Sequence, residues 1–264
     1  MSMAIARPLA QTLGTPRSIQ GISFNAGTDL YFGLDDRLTL SVIPDDQVIN
    51  GVPCARGLVH FHPSGELAQA TLARDMVMRT IPFKRGTLLS WNEDGTLAAH
   101  LGEEHVIADV SVPRGATARI TEDGTLESWS RRLADEEAIH DVVCQAGSVV
   151  TRYGDGLPER LTAACDTTID GFVVLGGSDV EFHRNGRVSR LTLAEPNTRA
   201  GIRFDAGTTL VLRDDHTLSL AHLADELTIG AMLYPEGTYL QFDERENLAS
   251  HATITWSVLP GARG

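Results

Sequence analysis

A glycine returns eight times at nearly constant spacing along this chain, at Gly27, Gly57, Gly86, Gly115, Gly147, Gly177, Gly207 and Gly237, with intervals of 30, 29, 29, 32, 30, 30 and 30 residues. The same phrase surrounds it, as in Ile81-Pro82-Phe83-Lys84-Arg85-Gly86-Thr87 and Ile202-Arg203-Phe204-Asp205-Ala206-Gly207-Thr208. A period of this length means that one supersecondary unit is copied and that neighbouring copies bury each other's apolar faces. It constrains architecture strongly and function weakly, because function is left to the deviations.

Two apolar columns precede the glycine. Five residues before it stand Ile22, Val52, Ile81, Val110, Val142, Phe172, Ile202 and Met232, and three before it Phe24, Cys54, Phe83, Val112, Cys144, Val174, Phe204 and Tyr234. A period of two is that of a strand with one buried face. Alternation resumes after the glycine, as in Thr87-Leu88-Leu89-Ser90-Trp91, and predicts a second strand. A tight turn follows at Pro63-Ser64-Gly65, Glu93-Asp94-Gly95, Glu122-Asp123-Gly124 and Arg184-Asn185-Gly186. A third strand then opens on the column Leu38, Leu67, Leu97, Leu126, Leu157, Val188, Leu218 and Leu248, and runs to an acidic corner at Asp45, Asp75, Glu103, Asp135, Asp166, Glu195 and Asp225.

The chain is thus expected to be all-β, with eight repeats of about 30 residues. Two architectures fit. Translational repetition suits a β-solenoid with like residues stacked in ladders. Turn chemistry suits an antiparallel meander, rolled or in two layers. Three strands per repeat favour the solenoid, since an odd number would reverse every other unit of a flat meander. The expected organisation is a cap over residues 1–20, one β-repeat domain over 21–256 and a tail over 257–264.

The phrase Ile19-Gln20-Gly21-Ile22-Ser23-Phe24 and its later versions resemble the repeats of bacterial MORN-like β-repeat proteins. The resemblance covers nearly the whole chain and is carried by turn glycines and apolar alternation. It implies a β-repeat fold and carries over no catalytic residue.

Composition narrows the partners. With 22 Lys+Arg against 35 Asp+Glu the net charge is −13, which repels a phosphate backbone, so no nucleic-acid partner is expected. The apolar run at the start is broken by Arg7 and Pro8, and no stretch approaches the ~18 residues that a membrane helix needs. A soluble, cytoplasmic protein with no membrane association is expected, as a homodimer whose mate covers an open strand edge. No phosphate loop, nucleophile elbow, His-Glu-x-x-His or paired-cysteine zinc pattern occurs, so no cofactor is expected.

Cys54 and Cys144 occupy an inward column and read as buried small hydrophobes; Cys165, beside the acidic corner, is the one candidate reactive thiol. His60 and His62 share a strand face and would form a metal site only with a third ligand such as His100, Glu104 or His105. Counting back from Gly65 puts Val59 and Phe61 in the apolar columns and turns both histidines to the other face. The acidic corners read as caps on turn amides.

The 32-residue interval is the most informative deviation, with Trp129, Arg131 and Arg132 in its lengthened segment. In the next repeat Arg152 stands where its neighbours have Ile120 and Phe182, so that either the strand bulges or Arg152 meets an acid or a ligand. Two functional expectations follow. The first is a non-enzymatic interaction or scaffold module that presents an extended β surface to a protein or carbohydrate. The second is a cofactor-independent acid–base enzyme, a lyase, isomerase or cyclase acting on a small molecule or glycan. It would use Asp135 or Asp155 as base, Tyr153 as acid, Arg152 or Arg131 to hold an anionic group with Arg132 nearby, and Trp129 as an apolar wall.

Overall fold

The computed structural model describes residues 9–253. The tail over 257–264 and the first eight residues of the expected cap lie outside the described residues. Every described element is a strand. The chain divides into two compact units, one holding residues 1–131 with 154–156 and the other residues 132–153 with 157–264.

Each repeat is a short hairpin followed by a longer one. In the third repeat Met76–Met78 pairs with Ile81–Phe83, and Leu88–Trp91 then pairs with Leu97–His100. The last of these strands pairs in turn with Thr117–Ile120 of the next repeat. The longer strands of the first unit therefore form an antiparallel meander, which opens on Leu9–Thr12 against Asp29–Phe32. The second unit repeats the scheme from Val149–Tyr153 to Leu248–Thr253.

The repeat thus has four strands, not three, and this corrects the preference for a solenoid. The strand missed in the sequence is the first of the short hairpin, such as Gln47–Ile49 or Thr167–Ile169. An even number of strands returns each unit to the same direction, so translational repetition and an antiparallel meander are compatible. All described pairs between long strands are antiparallel and join chain neighbours, rather than stacking like on like in parallel.

The recurring glycine sits where a turn demands a positive φ. At Gly86 (φ 85°) the chain turns so that Thr87 N donates to Lys84 O at 3.1 Å, and Gly86 N donates across to Leu72 O at 2.8 Å. The same pair of bonds recurs at Gly115, Gly147, Gly177 and Gly207. A side chain with a Cβ rarely adopts this conformation, which is why the ruler is written in glycine.

Both apolar columns face the cores except at Met232, which is 55% exposed. All eight residues of the column three before the glycine are buried, Cys54 and Cys144 among them. In the first unit Phe24 and Phe83 of the short hairpins and Leu30 and Leu89 of the long strands belong to one buried cluster, so the two sets of hairpins enclose the core between them. The second unit has an equivalent cluster of its own. One column assignment is corrected: Leu157 is 37% exposed, and Pro158, eleven residues after the anchor glycine as in most other repeats, is the buried residue.

Seven long hairpins carry a register shift just before the turn, for example between His60 and Phe61 and between Glu181 and Phe182. Such a bulge adds one residue to one strand. The Leu88–Trp91 hairpin keeps continuous register, and its missing bulge residue accounts for the 29-residue interval after Gly86.

Candidate ligand-binding groove

The tips of the short hairpins meet the turns of the long ones, and that edge carries most of the side-chain chemistry. Seven of the eight described short hairpins turn through two residues with positive φ, as at Asn50 (48°) and Gly51 (81°) or Asp170 (50°) and Gly171 (84°). This is the turn whose twist matches paired strands. The first tip residue reaches across to a long-hairpin turn. Gln20 donates to Asp36 O at 2.9 Å, Asn50 to Gly65 O at 3.3 Å, and Asp170 accepts from Val188 N at 2.9 Å. Arg79 does most, donating to the carbonyls of Gly95 (2.7 Å), Thr121 (2.8 Å) and Ile120 (3.0 Å).

A second set of contacts ties each long turn to the next. The residue opening the turn bonds to a carbonyl 29 residues further on: His62 Nε2 to Trp91 O at 2.7 Å, Tyr153 Oη to Phe182 O at 2.6 Å, His183 Nε2 to Leu212 O at 2.9 Å and Arg213 Nη2 to Phe242 O at 2.5 Å. Four positions use three chemistries for one geometric task, so the task belongs to the position. The imidazole nitrogen of His62 and His183 that faces a carbonyl must carry the proton.

Between these contacts the first unit opens a groove of about 580 Å³, lined by Asn50, His62, Ser64, Glu66, Arg79, Trp91, Asn92, Glu93 and Thr96 together with Val52, Pro63, Leu67 and Gly95. Trp91 is half-buried, its inner part against the core, which leaves an aromatic surface beside exposed Asn92 and Glu93. The Glu93 carboxylate is 3.9 Å from His62 Nδ1. Because Arg79 is tied to three carbonyls, the groove holds no long, freely moving cation; its other polar groups are amides, hydroxyls and carboxylates, of which Asn50 Nδ2 is engaged by Gly65 O, Asn92 Nδ2 by Thr96 Oγ1 and Ser64 Oγ by Glu66.

The residues named from the irregular interval take other places. Trp129 is 7% exposed and belongs to the core of the first unit, where other repeats put Ser41, Ala70 or Ala99. Arg131 is half-buried at the end of the lengthened Leu126–Arg132 strand. Arg132 donates to the Gly147 carbonyl, and Asp135 is exposed at its corner. Arg152 pairs with Pro158 across the bulge of its hairpin. The Cys144 thiol is pushed up by burial and by Glu137, with Arg152 pulling the other way, so Arg152 lies within electrostatic reach of that core position. Tyr153 has the Arg184 guanidinium 4.8 Å from its ring centroid and helps to line a recess of about 400 Å³ with His183, Arg184, Asn185 and Asp214. Asp135 and Arg152 do not line that recess. Asp155 is exposed, in the turn before Gly156.

The histidines fall on the faces the Gly65 alignment predicts, with Val59 and Phe61 buried and His60 and His62 half-exposed. His100 is exposed, with Nδ1 3.3 Å from Thr117 Oγ1, and His105 stacks on Phe83. Among the described residues no three or more His, Cys, Asp or Glu side chains come together as a metal ion requires. The acidic corners do cap amides: Asp46, Asp75 and Asp166 accept from Arg56 N, Arg85 N and Gly176 N at 2.8–2.9 Å. In the second repeat the capping residue is Asp46, the neighbour of the expected Asp45.

Sequence reasoning missed Asn50, Arg79, Trp91, Asn92 and Glu93. The signal was present in part, since Asn50-Gly51 is a hairpin-turn dipeptide and Trp91 marks the one hairpin without a bulge. No family model matches the chain, and no curated protein matches it.

Proposed function

We propose that this protein is a non-enzymatic binding module and that the groove of its first unit takes a neutral glycan segment. The observation that carries the reading is the half-buried Trp91 set beside Asn50, Asn92, Glu66 and Glu93 in a groove of about 580 Å³. A sugar ring offers an apolar C–H face to an aromatic plane and a rim of hydroxyls to amides and carboxylates. The volume lies within the ~300–1,000 Å³ typical of small-ligand sites. The net charge of −13 favours a neutral ligand over a polyanion.

The acid–base reading has less support. In the recess that contains Tyr153, the phenol donates to Phe182 O and one nitrogen of His183 is engaged by Leu212 O. Both groups are committed to joining repeats.

The test is tryptophan fluorescence and calorimetric titration with soluble hexasaccharides of glucose, mannose, galactose and N-acetylglucosamine. One of them should bind with quenching, and Trp91→Ala should weaken binding at least about tenfold while the melting transition remains. Wild-type affinity in Trp91→Ala, or no binding across the panel, overturns the reading.

A further inference from the structure

The hydrogen-bonding capacity of the first-unit groove is lopsided, because most of its donors are engaged by the protein itself. Arg79 gives guanidinium hydrogens to the carbonyls of Gly95, Ile120 and Thr121. Asn50 turns Nδ2 to Gly65 O at 3.3 Å, which directs its Oδ1 elsewhere. Thr96 Oγ1 donates to Asp94 Oδ1 at 2.6 Å and therefore meets Asn92 Nδ2, 2.9 Å away, as an acceptor. Asn92 must keep its amide nitrogen toward Thr96, and its Oδ1 too is left for other partners.

His62 completes the pattern. Its Nε2 lies 2.7 Å from Trp91 O and carries the proton, so the neutral ring presents Nδ1 as a lone pair. That nitrogen has no hydrogen-bond partner among the described residues, and Glu93 Oε1 is 3.9 Å from it. A ligand can reach both groups: the side chains of His62 and Glu93 are 20% and 80% exposed, and both line the groove. Two acceptors thus confront each other with no hydrogen between them.

This arrangement suits a group that brings several hydrogens and no lone pair. A hydroxyl has one hydrogen to give, and its own lone pairs then meet the second acceptor. An ammonium has three hydrogens and accepts nothing, and one nitrogen placed about 2.7–3.2 Å from each acceptor spans the 3.9 Å between them. Charge acts in the same direction. Glu66 and Glu93 outnumber Arg79 in the groove, and the chain as a whole carries −13. A hydrogen bond from an ammonium to a carboxylate is charge-assisted and about twice as strong as a neutral one. A uronic acid or a sugar phosphate would meet the same carboxylates and be repelled.

We propose that His62 Nδ1 and Glu93 recognise a free amino group, so that the ligand of this groove is a glycan containing an amino sugar. The inference rests on the glycan reading of the groove and narrows it, adding one protonated amine to an otherwise neutral segment.

The experiment compares the hexasaccharide of N-acetylglucosamine with its mono-deacetylated form, in which one acetamido group is exchanged for an ammonium, by tryptophan fluorescence and calorimetry on the intact protein. Wild type should bind the amine form at least about tenfold more tightly. That ratio should fall to about twofold or less in Glu93→Gln, which removes the charge and keeps the shape, and in His62→Gln, which retains an N–H for the Trp91 carbonyl and removes the ring acceptor. A folding defect would weaken both sugars alike and leave the ratio unchanged, and thermal melts verify each variant. Equal affinity for the two forms, with quenching by both, defeats this inference and leaves the glycan reading standing. A ratio that survives in both variants assigns the preference to the overall charge and also overturns it. If no hexasaccharide quenches the fluorescence, both readings fail.

Discussion

The hydroxyl of Tyr153 donates to the carbonyl oxygen of Phe182, 29 residues further along the chain, over 2.6 Å. His62 with Trp91, His183 with Leu212 and Arg213 with Phe242 make the same connection. It joins the turn of one repeat to the strand end of the next, where the ladder has just been disturbed by a bulge in all but the Trp91 case. Tyr153→Phe removes the donor and keeps the ring. We expect a loss of about 1–1.5 kcal/mol in urea unfolding of the second unit, with an unchanged m-value. A loss below about 0.3 kcal/mol would mean that the bond contributes nothing net.

Gly154 is required by space. A Cβ there would lie 1.8 Å from Leu126 O, and its amide donates to Glu127 O at 2.8 Å. Gly102 has no atom within 4 Å of a modest added Cβ and no positive φ. Gly154→Ala should cost about 3 kcal/mol or more, or abolish soluble expression, whereas Gly102→Ala should stay within about 0.5 kcal/mol of wild type. Equal melting temperatures for the two variants would contradict the close approach at Leu126.

Thiol reactivity separates the three cysteines. Cys54 and Cys144 are buried, and burial pushes the Cys54 thiol up from 9.0 to about 11; Cys165 is exposed. Under native conditions an aromatic disulfide reagent should modify Cys165 alone, with the other two appearing only in denaturant. Between 9.0 and about 11 the unfolded chain releases a proton that the folded chain retains at Cys54, so this residue makes stability fall as pH rises. Cys54→Val, which puts into the column the residue already present as Val112 and Val174, should flatten that part of the pH profile.

Acid should act in the opposite direction. The Asp179 carboxyl is held below its ordinary 3.8 by its hydrogen bond to Arg160, with Thr162 and the charge of Arg190 helping against a partial desolvation. A lowered carboxylate contributes stability that is present above pH 3.8 and lost as pH falls through the folded value. The pair is largely exposed, so the effect should be no more than about 1 kcal/mol. Asp179→Asn should lose that amount at pH 7 and progressively less as pH falls below 3.8; an equal loss across the whole range would assign the role to packing.

The core was the most legible part of the fold. The inward column from Phe24 to Tyr234 could be counted back from the glycines, because burial on one face of a strand imposes a period of two that side-chain type reports directly. The first strand of each short hairpin was less legible. It has only three residues, and Arg79-Thr80, Ala108-Asp109 and His140-Asp141 make the same positive-φ turn without a glycine to signal it. Missing that strand turned a count of four into three and with it the choice between solenoid and meander.

The candidate groove was hardly legible, because it is assembled from different repeats. Asn50 and His62 are followed only some 30 residues later by Trp91 and Asn92, and their nearness depends on a fourth strand bringing hairpin tips over long turns. The irregular interval drew attention for a sound reason, an arginine in an apolar column. Yet the bulge beside Arg152 is the one that six other repeats also carry, so it marks no special place.

By itself the sequence determined an all-β chain of eight copies, most of the residues that face inward and the recurring glycines at which the backbone adopts a positive φ. These are local consequences of side-chain size, polarity and the lack of a Cβ, and each is written in a few neighbouring residues. Only the tertiary structure decided how the strands pair, what the recurring glycine bonds to and which polar side chains share a recess. Those depend on hydrogen bonds and contacts such as Gly86 to Leu72, 14 positions apart, and Arg79 to Gly95 and Thr121, 16 and 42 apart, whose geometry no few neighbouring residues contain.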